Sequence, residues 1–148
     1  MLVLFRIAHA VTDRNLGPVR YIPLSLYKIY SEVLLGIEIP AKTDVGHRLR
    51  IYHGRGLVVN DSVSIGTDVS LRQNVTLGGS PKGVPVLRDG VDVGAAAIIL
   101  GPVVVGEGCV IGAGAVVTRD VPAGCRVIGN PALCTGKHPG CASTGMSS

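Results

Sequence analysis

Aliphatic residues return every six places along most of this chain. They stand at Ile39, Val45, Ile51 and Leu57, then at Val59, Ile65, Leu71 and Leu77. After a break they resume at Leu87, Val93, Ile99, Val105, Ile111 and Val117. A second set falls four places after the first: Val63, Val69, Val75, Val91, Ala97, Val103, Cys109, Ala115 and Val121. Gly often follows the first aliphatic, as in Ile65-Gly66, Val93-Gly94, Val105-Gly106 and Ile111-Gly112. A six-residue period held at fixed phase predicts a hexapeptide solenoid, with each hexad forming one flat face of a triangular coil. Three hexads make one turn, so each aliphatic stacks over another one coil below and the core is continuous. The predicted fold is therefore an all-β solenoid, a left-handed parallel β-helix over residues 38–133, preceded by a short N-terminal helical segment over residues 1–37.

The ends of the chain depart from this beat. In residues 1–37, Tyr21, Leu24, Tyr27, Ile29 and Leu34 approximate helical spacing, with Pro18 and Pro23 near the start. That pattern predicts a helix over about 20–35, packed on the prism or on a neighbouring subunit. Residues 134–148 lose the beat again and read as a flexible tail. Within the prism the beat breaks twice. Between Leu57 and Val59 the phase slips, which puts Tyr52-His53-Gly54-Arg55-Gly56 on a bulged corner. Between Leu77 and Leu87 the spacing is neither six nor twelve, so Gly78-Gly79-Ser80-Pro81-Lys82-Gly83-Val84-Pro85 reads as an extruded loop. Excursions from a regular solenoid usually carry its function.

Composition changes this picture only at the margins. The 148 residues fit one domain, and with aromatics at 3% and no Trp the core has to be built from Val, Ile, Leu and small residues. Fourteen basic and ten acidic side chains give a net charge of +4, but they are scattered rather than blocked, which argues against a nucleic-acid partner. One local cluster stands out: His47, Arg48, Arg50, His53 and Arg55. It reads either as a solvated edge or as a site that attracts an anion. Of the four cysteines, Cys109 takes an inward slot and reads as a buried thiol. No CxxC pair is present, and the spacing suggests neither a metal site nor a disulfide framework. The apolar start is short and interrupted by Arg6 and His9, and no run reaches the ~18 residues of a spanning helix. The chain reads as cytoplasmic, with contact at a membrane surface left open.

His53 is the strongest candidate for chemistry. It lies on the first excursion, beside a glycine that lets another backbone approach closely. A histidine titrating near neutrality can take a proton from an alcohol as that alcohol attacks a thioester. Glu38 lies fifteen residues earlier, close to one eighteen-residue turn, where a carboxylate could fix the imidazole tautomer. His9, His47 and His138 have no comparable setting.

The stretches IEIPAKTDVG, RIYHGRGLVV, VSIGTDVSLRQNVTLGG, GVDVGAAAIILGPVVVGEGCVIGAGAVVTRDVP and IGNPA carry a resemblance to the serine acetyltransferase group of hexapeptide acyltransferases. They cover roughly residues 38 to 132. The resemblance implies an acetyl-CoA-dependent O-acetyltransferase with no metal. It makes His53 the general base and Glu38 its acidic partner, where the family has Asp. It implies that the backbone at Ala95 and Ala113 lines the pantetheine arm of acetyl-CoA. Thr76, Gly78 and Gly79 would lie near the thioester, and Thr118 and Arg119 near the adenine and phosphate end. It also implies a homotrimer with the cofactor groove between adjacent prisms.

Departures from the family matter as much. The family has Asp immediately before the catalytic His, and here Tyr52 stands there. The family's extruded loop has an Arg-His pair that grips the serine carboxylate, and here Gly83 and Val84 occupy those places. Leu133 replaces the Arg or Lys that usually follows Gly-Asn-Pro-Ala. The acceptor is then either L-serine or, as in the short relatives from capsule and exopolysaccharide clusters, a sugar hydroxyl. The missing grip leans the reading toward the sugar. A non-catalytic β-helix scaffold is the alternative of a different class.

Overall fold

A computed structural model of the chain describes residues 2–12 and 21–135. Its centre is a left-handed parallel β-helix whose strands stack into three faces. The first face stacks Ile37–Glu38, Leu57–Val59, Thr76–Gly78, Ile98–Leu100 and Val116–Val117. The second stacks Asp44–Val45, Ser64–Ile65, Val86–Leu87 and Val104–Val105. The third stacks Arg50–Tyr52, Ser70–Arg72, Asp92–Val93, Val110–Ile111 and Arg126–Ile128, and a final antiparallel strand, Leu133–Cys134, closes its end.

The six-residue beat is the core. Every aliphatic of the second set is buried, from Val63 at 0% exposure to Val121 at 5%. Leu57 and Val59 are both buried, so the phase slip feeds two side chains inward from one strand. Fully burying a Val, Leu or Ile side chain is worth about 1.5–3 kcal/mol, and here such residues contact their counterparts on the coils above and below. Cys109 sits in its expected inward slot, and its thiol donates to the Pro122 carbonyl oxygen at 2.9 Å. Burial pushes that thiol's pKa up.

Coil length varies along the stack. Ile37 stacks on Leu57, a step of 20 residues, and Val58 stacks on Thr76, a step of 18. Ser64 stacks on Val86, a step of 22, and Val86 on Val104, again 18. The first excess is the His53 corner. The second is the Gly79–Pro85 segment, which is a tight turn rather than a long loop: Ser80 and Gly83 exchange backbone hydrogen bonds of 2.8 and 3.0 Å.

Two helical segments cover the start of the prism. Helix α1 is Leu2–Thr12 and α2 is Tyr21–Lys28, followed by a π-helical turn over Ile29–Leu34. The second segment agrees with the helix expected near 20–35, and α1 falls within the N-terminal helical segment expected over 1–37. Helix α1 is tied to the prism by polar side chains beside its buried apolar ones. Arg6 donates to the carbonyls of Val45 and Gly46, and His9 Nδ1 is 2.7 Å from the Ala41 carbonyl oxygen. Phe5 and Ala8 are buried beside them, whereas Val3, Leu4 and Ile7 face outward. Tyr27 anchors the second segment by donating to the Ile39 carbonyl at 2.7 Å.

The cysteines correct the sequence reading. Cys125 and Cys134 are disulfide-bonded. Cys109 is a free thiol, and Cys141 could satisfy only one of the two, so the pairing that bonds both is one with the other. The antiparallel return of Leu133–Cys134 onto Arg126–Ile128 creates this proximity. Spacing along a parallel coil does not announce it. From residue 136 on, the expected tail lies outside the described residues.

Candidate active site

The corner joining the third face to the first sets the site. Successive coils are tied there by backbone hydrogen bonds: Gly56 to Gly36, Asn74 to Arg55, Ala96 to Gln73 and Gly114 to Ala95, all 2.7–2.9 Å. The donors Gly56, Asn74, Ala96 and Gly114 all have positive φ, from 57 to 71°. Each is a left-handed turn residue, and together they form one edge running along the prism. A second edge, from the second face to the third, repeats the device at Arg48, Asp68, Gly90, Gly108 and Gly124. His53 also has positive φ, at 51°, yet it belongs to neither column. Arg48, Asp68, Asn74 and Ala96 share this left-handed backbone, and His53 differs from them in lying on the residues that lengthen its coil.

Gly54 explains how the corner is held. A Cβ there would lie 2.6 Å from Ile51 Cγ2 and 2.7 Å from Ile37 Cδ1. The chain therefore lies flat on the core at residue 54, and the side chains on either side project away from it. His53, Gly54 and Arg55 line an open cleft of about 370 Å³ together with Leu34, Leu35 and Ile37. His53 is exposed, so its imidazole can reach a solute.

Glu38 sits on the strand that begins the first face, opposite Val58. Its neighbour Ile37 lines the His53 cleft, but Glu38 is not among the lining residues. Glu38 and His53 make neither an ion pair nor a hydrogen bond with one another. Glu38 ends the first strand of the first face, and His53 lies on the corner that leads into the next strand of that face.

The residues expected to hold acetyl-CoA fall on the two margins of the first face. Ala95 and Ala113 follow His53 along the same corner edge, one coil apart, and their backbone N–H groups donate to no described group. Thr76 lies on the face between the margins, and Gly78 ends its strand. Gly79, Thr118 and Arg119 lie at the opposite corner, where the first face turns toward the second. These positions are therefore spread across the whole width of the face. The free N–H groups along the corner edge suit an extended arm that carries amide carbonyls, and small side chains there leave it room.

The cationic cluster sorts itself by pairing. Arg48 forms a fork with Asp68, donating through Nε at 2.7 Å, which holds the carboxyl below the usual aspartate range. Arg50 donates to Ser70 Oγ at 3.0 Å and to the Asp68 carbonyl at 3.1 Å. Tyr52 lies under the Arg72 guanidinium at 5.6 Å from its ring centroid, and Arg72 is itself bound to Asp92 and to the Val93 carbonyl. Arg55, by contrast, lines the His53 cleft with no carboxylate against it among the described residues.

Residues 85–119 match the bacterial transferase hexapeptide family (six repeats). A serine acetyltransferase of Synechococcus elongatus is 42% identical over 134 residues, covering 88% of this chain and 53% of that protein. The serine acetyltransferase of Helicobacter pylori strain 26695 is 38% identical over 135 residues, covering 88% of this chain and 77% of that protein. Soybean serine acetyltransferase complexed with serine superposes at a TM-score of 0.78 with 34% identity, covering 89% of this chain and 54% of that one. A serine acetyltransferase in complex with CoA gives 0.79 and 33%, covering 90% and 55%. The chain thus spans about half the length of the first relatives it matches.

Proposed function

The chain belongs to the serine acetyltransferase family, and from that premise we propose that it transfers the acetyl group of acetyl-CoA to the hydroxyl of L-serine. The observation that carries this reading is the His53 corner: an exposed imidazole in a cleft, at the head of an edge on which the Ala95 and Ala113 N–H groups donate to no described group. His53 takes the hydroxyl proton of the acceptor. The oxygen attacks the thioester carbonyl, the C–S bond breaks, and coenzyme A leaves with the proton returned to its sulfur. Glu38 orients the imidazole once the acceptor draws the dyad together, because catalytic hydrogen bonds often tighten only in the loaded complex. Backbone N–H groups near Gly78 and Gly79 stabilise the oxyanion.

The split of the cofactor residues between two margins of one face supports a homotrimer. Two neighbouring prisms would bring one margin of each together and complete the groove. L-serine is favoured over the sugar hydroxyl because the relatives are serine acetyltransferases and one was solved with serine bound. The sugar keeps one observation in its favour: the Ser80–Gly83 turn carries Gly83 and Val84 where the family has its carboxylate grip.

The test is coenzyme A release from acetyl-CoA, followed with a thiol reagent, with L-serine and with a panel of saccharides. His53→Ala serves as the comparison and should lose about 10²–10⁴-fold in kcat, the usual share of a general base. Serine-dependent release lost in the variant is the expected result. Release with saccharides alone would move the acceptor to the sugar. No release and no acetyl-CoA binding would leave a scaffold.

A further inference from the structure

The proposed acceptor carries a carboxylate, and the turn at Gly83–Val84 offers it no cation. Carboxylates are held best by a guanidinium, whose planar fork donates two parallel hydrogen bonds. We propose that Arg55 is the specificity-determining residue that takes the acceptor carboxylate, an inference that rests on the serine reading above.

Three observations lead to Arg55. It shares the cleft with His53, so a bound acceptor could reach the base and the guanidinium at once. It is free for that task, whereas Arg48, Arg50 and Arg72 are engaged with Asp68, Ser70 and Asp92. Its backbone is fixed: the Arg55 carbonyl accepts from Asn74 N–H at 2.9 Å, and Gly54 pins the preceding residue onto Ile37 and Ile51. The next residue, Gly56, has positive φ and sits so close to Asn74 that a Cβ would meet Asn74 Oδ1 at 2.2 Å. The two extra residues of this coil therefore deliver His53 and Arg55 as a pair, a base and an anion grip on one short rigid excursion. Leu34, Leu35 and Ile37 line the rest of the cleft, so His53 and Arg55 are its titratable side chains.

The experiment measures steady-state kinetics of the full chain and of Arg55→Ala and Arg55→Lys, with L-serine and with serinamide, which lacks the carboxylate charge. The parent protein should prefer serine over serinamide. In Arg55→Ala the KM for serine should rise about 10- to 100-fold, the usual loss of a charged hydrogen-bond pair, and the preference should collapse toward unity. Arg55→Lys should recover part of it, since an ammonium keeps the charge and loses the fork. The KM for acetyl-CoA should move by less than about 2-fold, as uniform loss of acceptor binding implies. An unchanged serine KM in Arg55→Ala would overturn the assignment and leave the serine reading standing. A rise in the acetyl-CoA KM instead would place Arg55 on the cofactor's phosphates and overturn it too. A parent protein that acetylates saccharides and ignores serine would remove the acceptor and this role together.

Discussion

Gly54 touches no substrate, yet the site depends on its having no side chain. Gly54→Ala would push a methyl into Ile51 and Ile37, and the corner would lift to escape it. His53 and Arg55 would then move relative to the edge that carries Ala95 and Ala113. A displacement of about 1 Å can cost around 10²-fold in rate, so kcat/KM should fall on that scale while the melting temperature drops only modestly. The pair of measurements separates a displaced site from a damaged fold. His53 was legible in the sequence because a phase slip in a strict period is visible without coordinates. The freedom of Arg55 was not. It emerges only when a 20-residue step sets Arg48 beside Asp68 and Arg50 beside Ser70, and a step of that length follows from the corner itself.

Among the elements, the N-terminal helices and the last hairpin each hang on a small number of bonds. Burial lifts the Tyr27 phenol from its ordinary value of 10.0 to about 12. The folded state thus holds this proton more tightly than the unfolded chain, and the stability it contributes is complete below pH 10. That contribution declines as pH rises from about 10 to about 12, so urea midpoints should fall across that window, and less steeply in Tyr27→Phe. The Cys125–Cys134 bond closes a short loop, and opening it should cost about 2–3 kcal/mol by the loop-entropy estimate. Reduction, or Cys134→Ser, should therefore lower the melting temperature by several degrees. Neither element was fully legible. Helix α1 buries Phe5 and Ala8 while Arg6 and His9 reach backbone carbonyls of the prism, and the exposed Val3, Leu4 and Ile7 blur its amphipathic pattern. The disulfide needs an antiparallel return that breaks the hexapeptide beat.

Across the whole molecule, the period alone was enough to name the architecture, because each hexad repeats one packing problem. The predicted inward positions are the buried ones, down to Cys109 and Ala115, except Ile51 beside the His53 corner, which is only partly buried. Leu77→Ala, at 0% exposure between two coils, should cost about 2–5 kcal/mol in denaturant unfolding. Interactions in such a stack run mainly between adjacent coils, so damage at one level should stay local. The unequal coil lengths carry a wider consequence. A coil of 20 or 22 residues stacks on one of 18 because the surplus leaves at a corner and the ladder re-enters in register. Corners can then be lengthened, shortened or rewritten with no matching change in the interior. Heredity can experiment at the two places where this chain departs from its beat, exchanging one acceptor for another, while the rod beneath them is inherited intact.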